Sequence, residues 1–269
     1  MKFTDCFKLV VKEHTENKSQ IVGMAMKDLK KQYSGTVFGM LWPVLKNLIF
    51  VFAYWFTITV GLKSEGDVGV PYMVWLAAGL VPWFFIRDTL VPAARSIRSS
   101  RFLVTKVIFP KSIISTYKVF SGFISSFMFL GVVLIICLAY GVFPNLYWLQ
   151  MIYYAIAALM LMVSISLTTS TLVVLSRDIE FLLNSTIVLV FWLTPILWSV
   201  DNLSKGLAFI VKLNPFYYVI EGFRESLVGQ VWFWEHPALT LYYWGVVLML
   251  FVVGVFIHGK ARDHFADVL

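Results

Sequence analysis

Between Lys118 and Arg177 the chain runs for 58 residues without an Asp, Glu, Lys, Arg or His. At about 1.5 Å per residue that run would make a single α-helix about 87 Å long. A bilayer core is only about 30 Å thick, so the run has to fold back on itself. GVFPN, Gly141 to Asn145, supplies the helix breakers near its middle, which predicts a hairpin of two crossings over 113–140 and 147–175. Further apolar stretches over 38–62, 70–91, 181–200 and 237–257 are long enough to span once flanking residues snorkel or tilt. The expected fold class is an all-α membrane protein with six transmembrane helices. Composition agrees: 59% of the 269 residues are hydrophobic and 14% charged, against roughly half and a quarter in ordinary globular domains.

Lys and Arg are unevenly shared between the two sets of connections. Residues 1–37, 92–112, 176–180 and the tail after 257 hold fifteen, and the other side holds Lys63, Lys205, Lys212 and Arg224. The positive-inside rule then predicts both termini in the cytoplasm. With the excess on that face, the net charge of +7 suits anionic lipid and gives no reason to invoke nucleic acid. Residues 1–37 carry charge throughout, with no apolar core ahead of a small-residue cleavage site, so no removable signal peptide is expected. Cys6 and Cys137 lie too far apart in this topology for a disulfide framework or a metal cluster.

Within the N-terminal segment, Ser19 to Tyr33 places Val22, Met26, Leu29 and Tyr33 on one helical face and Lys27, Asp28, Lys30 and Lys31 on the other. This predicts an amphipathic helix in the membrane interface, which suits a lipid surface and a docking partner equally well. The connection 201–236 is too apolar for a solvated loop. Asn214-Pro215 divides it into two halves too short to cross, read as a re-entrant helical pair between the fifth and sixth crossings or as a small outer cap on the bundle.

GVFIHGKA, Gly254 to Ala261, matches G-x-x-x-x-G-K but has Ala261 where a hydroxyl must hold magnesium. It also lies in a predicted transmembrane helix, whose amides are already bonded and cannot cradle phosphate. His258 and Asp263 suggest an acyltransferase pattern that lacks further partners. His14, His236, His258 and His264 are all expected outside the bundle, and no catalytic constellation emerges. Asp88 is the one acidic residue inside a predicted span, too little for a proton relay.

The intramembrane charges Lys46, Arg87 and Lys118 outnumber Asp88, a bias that suits anionic cargo, although Lys46 and Lys118 also have room to snorkel. Arg95, Arg98 and Arg101 recur at steps of three and share a helical face; they suit a diphosphate headgroup or ordinary positive-inside anchoring. The aromatic residues Tyr54, Trp55, Trp83, Phe84, Phe85, Trp192, Trp198, Tyr217 and Tyr218 are candidates for lining a path along sugar rings or a lipid tail, the alternative being an interfacial aromatic belt. Gly122, Ser125 and Ser126 suit close helix packing within or between subunits.

Five segments, KDLKKQYSGTVFGMLWP, GLVPWFF, VTKVIFPKSII, SRDIEFLLNSTIVLVFWLTPILW and LNPFYYVIEGFRESL, resemble the permease subunits of ABC-2-type polysaccharide exporters over nearly the whole chain. With LTTSTLVVLSRD and the ending ARDHFADVL, the sequence is most similar to the wall teichoic acid translocation permeases of Gram-positive bacteria. The resemblance implies a bacterial plasma-membrane transmembrane domain over 38–269. It implies two copies of this subunit with two copies of a separate ATPase that carries the ATP and magnesium, so that no cofactor sits on this chain and it is no enzyme by itself. It further implies that the loop 101–112 contacts the ATPase through Val104, Thr105, Lys106, Val107, Ile108, Phe109, Pro110 and Lys111, with the N-terminal helix as a second contact. The implied cargo is a polyprenyl-diphosphate-linked teichoic acid, with Arg95, Arg98, Arg101, Lys46 and Arg87 near its headgroup; the rivals are O-antigen or capsule export by the same architecture, and drug or lipid efflux. Pro43 directly follows Trp42, where many relatives have their proline later, which shifts the expected bend at the first crossing.

Overall fold

The structure, a computed structural model, describes residues 3–63, 68–107 and 109–269. Two helices precede the bundle, α1 (Phe3–Glu16) and α2 (Lys18–Tyr33). The bundle follows with α3 (Trp42–Trp55), prolonged by a π turn over Phe56–Gly61, then α4 (Tyr72–Ser99), the short α5 (Arg101–Thr105), α6 (Ile113–Ala139), α7 (Gln150–Leu175) and α8 (Asp178–Leu193). Two short helices, α9 (Lys205–Lys212) and α10 (Pro215–Arg224), lead to α11 (Pro237–Ala261) and a final turn, α12 (Phe265–Val268). No strand occurs among the described residues.

Among the described residues, five helical stretches are long and apolar enough to cross a membrane: Gly39–Gly61, Tyr72–Ser99, Ile113–Ala139, Leu146–Leu175 and Pro237–His264. The expected crossing over 181–200 is not among them. α8 has 16 residues, about 24 Å of helix against a core of about 30 Å, and ends at Leu193. The cause is local. Pro195 has no N–H and holds the preceding Thr194 in an extended conformation, φ −90° and ψ 136°. Irregular backbone follows, and its carbonyls need donors wherever water is absent.

α10 and α4 supply those donors. Arg224 donates to the carbonyls of Pro195 and Ile196, both at 2.6 Å, and the Tyr72 hydroxyl donates to Leu197 O at 2.9 Å. The Asn214 amide reaches the Thr194 hydroxyl at 2.7 Å. Arg224 is 2% exposed; its guanidinium carbon lies 3.4 Å from the centre of the Trp75 ring, and Glu221 is 3.2 Å away. It was expected as a loop cation on the outer side; the structure instead buries it. Gly79 makes room, since a Cβ there would meet the guanidinium at 2.7 Å.

α4 is the axis. Its most apolar window is 83% buried inside the chain, whereas that of the first span is 11% buried. Close approaches assemble the rest. Gly122 of α6 admits Thr89 of α4, and Gly222 of α10 admits Tyr154 of α7, so Gly122 serves packing within the subunit. Parts of α3 and α8 remain bare, with Ile49, Phe52, Phe181 and Trp192 each more than half exposed. Pro43 sits in the first turn of α3, where its missing N–H breaks no helical bond.

α1, α2, α5 and the chain's C-terminus gather at one end of the bundle, the end that the distribution of Lys and Arg predicts to be the inner one. α2 packs on α6, but not by the expected face. Ile21, Ala25 and Leu29 are buried, Val22 and Met26 are exposed, and Asp28, expected among the solvent-facing charges, pairs with Lys118 at 2.7 Å. The buried face is rotated from the expected one by roughly 70°, and Leu29 belongs to both. α1 was not anticipated. Cys6 and Val10 seat it against Leu167 of α7 and Val255 of α11.

Arg224→Met should lower stability by about 2–5 kcal/mol, because it orphans two buried carbonyls and the charge of Glu221. Arg224→Lys should rescue little, since one ammonium cannot serve both carbonyls while lying flat on Trp75. Gly79→Ala should destabilise by displacing the same guanidinium. Thermal unfolding of the detergent-purified protein checks all three, and a wild-type midpoint for Arg224→Met would contradict the account.

Candidate functional site

Four polar side chains meet where α3 faces α4. Lys46 lies 2.7 Å from Asp88, whose other oxygen accepts from Arg87 Nε at 2.8 Å. Arg87 also donates to the buried Asn47 at 3.1 Å. Its guanidinium carbon lies 4.7 Å from the centre of the Phe50 ring and 4.5 Å from that of Phe84, a cation–π arrangement that holds a charge at low water content. Two cations thus share one carboxylate, and the surplus is positive. Lys46 retains 41% of its side-chain exposure and lines an open-sided groove of about 470 Å³ with Gln32, Tyr33, Thr36, Trp42, Ile49 and Phe50. The third intramembrane cation, Lys118, belongs to the Asp28 pair and lies apart from this cluster.

Arg95, Arg98 and Arg101 have separate neighbours. Arg95 pairs with Glu180 in the first turn of α8, and Arg98 reaches Val173 O near the end of α7 at 3.5 Å. Arg101 opens α5 and is exposed. In the adjoining segment Val104 is buried in a cluster with Ile97, Ile113, Ile114, Val174 and Phe265, and Phe109 packs against it. Thr105 and Pro110 are half-buried, Lys106 is exposed, and Lys111 donates to Arg262 O at 2.9 Å. Phe102 and Val107 stand out from the surface at 69% and 43% exposure. Ile108 lies outside the described residues.

The candidate aromatic residues fall into two groups. Trp83, Phe84, Phe85, Tyr217 and Tyr218 are buried within the subunit; Tyr218 bonds to the Tyr153 hydroxyl at 2.8 Å and to Thr240 at 3.0 Å. Tyr54, Trp55 and Trp198 are half-buried and Trp192 is exposed. Phe191 joins the groups, its ring centroid 5.3 Å from that of Tyr54 and 5.4 Å from that of Trp83.

At the outer end a second cavity, about 320 Å³, is lined by Tyr154, Tyr217, Tyr218, Glu221, Glu225 and His236 among others. Burial, with Glu221 adding to it, pushes the Glu225 carboxyl up to about 7, and His236 lies 3.2 Å from it. Beside this cavity Trp232 stacks on Trp234 at 4.5 Å with 10° between planes, and Tyr147 stands 4.8 Å from Trp232. Sequence reasoning did not single out this shelf, because the rings come from two distant connections that periodicity cannot bring together.

The nucleotide-like stretch Gly254 to Ala261 lies within helix α11. Its glycines are packing sites: a Cβ on Gly254 would come 2.9 Å from the Thr168 hydroxyl, and one on Gly259 would strike Cys6. Two histidines expected outside the bundle are inside or against it. His258 is fully buried and bonds to Thr171 at 3.0 Å, and His14 bonds to Thr116 at 2.8 Å.

The ABC-2 type transporter family model matches residues 19–228, from α2 to the turn after α10. Two O-antigen export system permease proteins of Klebsiella pneumoniae are 30% and 29% identical over 251 residues, which cover 93% of this chain and 94% of each relative. A protein of the same description from Myxococcus xanthus is 24% identical over 268 residues, 96% of this chain and 98% of the relative. Matched by the family model over more than half its length, this all-helical, multi-pass membrane chain belongs to the ABC-2 type transporter family, as a permease subunit.

Proposed function

We propose that the chain is the membrane half of an ATP-driven exporter of lipid-linked polysaccharide, with O-antigen-type glycan as its cargo. The observation that carries this reading is the end-to-end similarity to O-antigen export permeases. It favours that glycan over the teichoic acid suggested by the motifs alone. Both termini lie in the cytoplasm, as the fifteen-to-four distribution of Lys and Arg indicates, and the inner end faces the ATPase. α8 and the extended stretch after it make the fifth of six crossings, while α9 and α10 form a re-entrant pair on the outer side before the last one, with Arg224 sealing the break.

Two copies of this subunit pair with two copies of the ATPase, which binds ATP and magnesium and supplies the hydrolysis. Phe102, Lys106 and Val107, exposed beside a buried Val104, support residues 104–111 as the contact, since apolar side chains set among cations are poorly served by water alone. The bare faces of α3 and α8 meet their counterparts or the cargo across the subunit boundary, and Tyr54, Trp55 and Trp192 border that path. The groove at Lys46 receives the diphosphate, because it offers a surplus cation beside an open, apolar wall. Arg101, exposed like Arg95 but outside the Arg95–Glu180 pair, guards its approach.

Affinity purification of the chain from its own cells should bring an ATP-binding subunit with it in equal amount, and deletion should remove surface polysaccharide and leave drug tolerance unchanged. Altered drug tolerance with intact polysaccharide would favour the efflux alternative. Lys46→Gln should reduce export at least severalfold, yet cost only about 1 kcal/mol of stability, as suits a partly exposed ion pair. Asp88→Ala should destabilise more than Lys46→Gln, because it leaves Arg87 and Lys46 both unpaired. Normal export by assembled Lys46→Gln complexes would remove the groove from the headgroup path.

A further inference from the structure

α1 crosses the inner end and joins elements that are far apart in sequence. The Glu13 carboxylate accepts from the backbone N–H of Ser112 at 3.1 Å and from the Ser112 hydroxyl, and its other oxygen lies 2.9 Å from the Arg262 guanidinium as an ion pair. Ser112 is the N-cap of α6, so Glu13 supplies an anion where the helix has free N–H groups and the positive end of its dipole. The pair is well shielded, with 11% of the Glu13 side chain and 15% of Arg262 exposed. Lys111 closes the figure by donating to Arg262 O at 2.9 Å. The last two residues of the segment 101–112 are therefore both tied at this corner, Ser112 by the Glu13 carboxylate and Lys111 by the backbone carbonyl of Arg262.

A neighbouring bond fixes α1 itself. Nδ1 of His14 lies 2.8 Å from Val10 O, a pure acceptor, so this nitrogen carries the proton and Nε2 accepts the Thr116 hydroxyl at 2.8 Å. Burial keeps the ring below the usual histidine range, hence neutral near pH 7. On the adjacent face Cys6 packs where Gly259 has no side chain. Glu13 and Arg262 both lie outside residues 19–228, the stretch that the family model matches.

We propose that Glu13 is a positioning residue that clamps the end of the ATPase-facing segment to α6 and to the end of α11, so that movement of the ATPase is passed to the bundle. Without the clamp the segment still docks, but it swings about Ser112 and spends the stroke locally. This inference rests on the reading of residues 104–111 as the ATPase contact.

The test uses the complete permease–ATPase complex in proteoliposomes, with ATP hydrolysis and export of lipid-linked polysaccharide measured together. Glu13→Gln keeps the shape of the side chain and removes the charge, and Arg262→Gln removes the other partner. Each should lower the polysaccharide exported per ATP by roughly 3- to 30-fold while assembly and hydrolysis persist. The double variant should be no worse than either single one, as members of one pair behave. Wild-type export per ATP in Glu13→Gln overturns the proposal, and so does a fall in export that merely tracks loss of assembled complex. In the same preparation Val107→Cys should cross-link to the ATPase. If it does not, the assigned contact is wrong and the clamp falls with it, whereas cross-linking with unchanged coupling rejects the clamp alone.

Discussion

A helix that stops inside an apolar bundle leaves carbonyls that water cannot reach, and the arrangement of this protein depends on how those of α8 are served. Arg224 and Tyr72 serve three successive ones, Pro195, Ile196 and Leu197. Burying a guanidinium is costly, but Trp75 beneath it and Glu221 beside it offset the loss of water. One side chain thereby anchors α10, the broken end of α8 and the first turns of α4 to one another. The outer connection, which composition marks as too apolar for solvent, is held in place by this polar contact as much as by its apolar faces.

Around that anchor the bundle is asymmetric. α4 is nearly enclosed, whereas α3 and α8 turn apolar surface outwards. A subunit built to stand alone in lipid has no need to place an arginine–aspartate–lysine cluster next to its least covered helix. An open groove ending at that cluster fits a component that works against a second surface. The inner end has the opposite character. There the segment 101–112, both N-terminal helices and the tail after α11 are tied by ion pairs and side-chain-to-backbone bonds.

Much of this was legible in the sequence. The uncharged run required a hairpin, and Gly141, at φ 77°, makes the turn; Asn214-Pro215 separates α9 from α10 as expected, with the Asn214 side chain accepting from Phe216 N. The family motifs pointed to a permease and the false nucleotide loop to a helix. The missed features share a cause: they depend on partners distant in sequence. Asp28 finds its partner Lys118 90 residues away, and Arg224 reads as a solvated loop cation until the break after Leu193 is placed against it. Glu180 claims Arg95 in the same way. α1 is different, since Phe3, Cys6, Phe7, Val10 and Val11 carry a helical period that was open to inspection. The charges interleaved with them, Asp5, Lys8, Lys12 and Glu13, mask that period in the composition of residues 1–37.

The central claim is that this chain conducts lipid-linked polysaccharide outward on the power of a separate ATPase. The most direct measurement places the purified chain and its ATPase in sealed proteoliposomes, supplies lipid-linked polysaccharide on the ATPase side, and follows its appearance on the other side. The account predicts transfer that requires ATP, magnesium and both subunits, with no hydrolysis by this chain alone. Transfer without the ATPase, or ATP hydrolysis by the chain by itself, would contradict it.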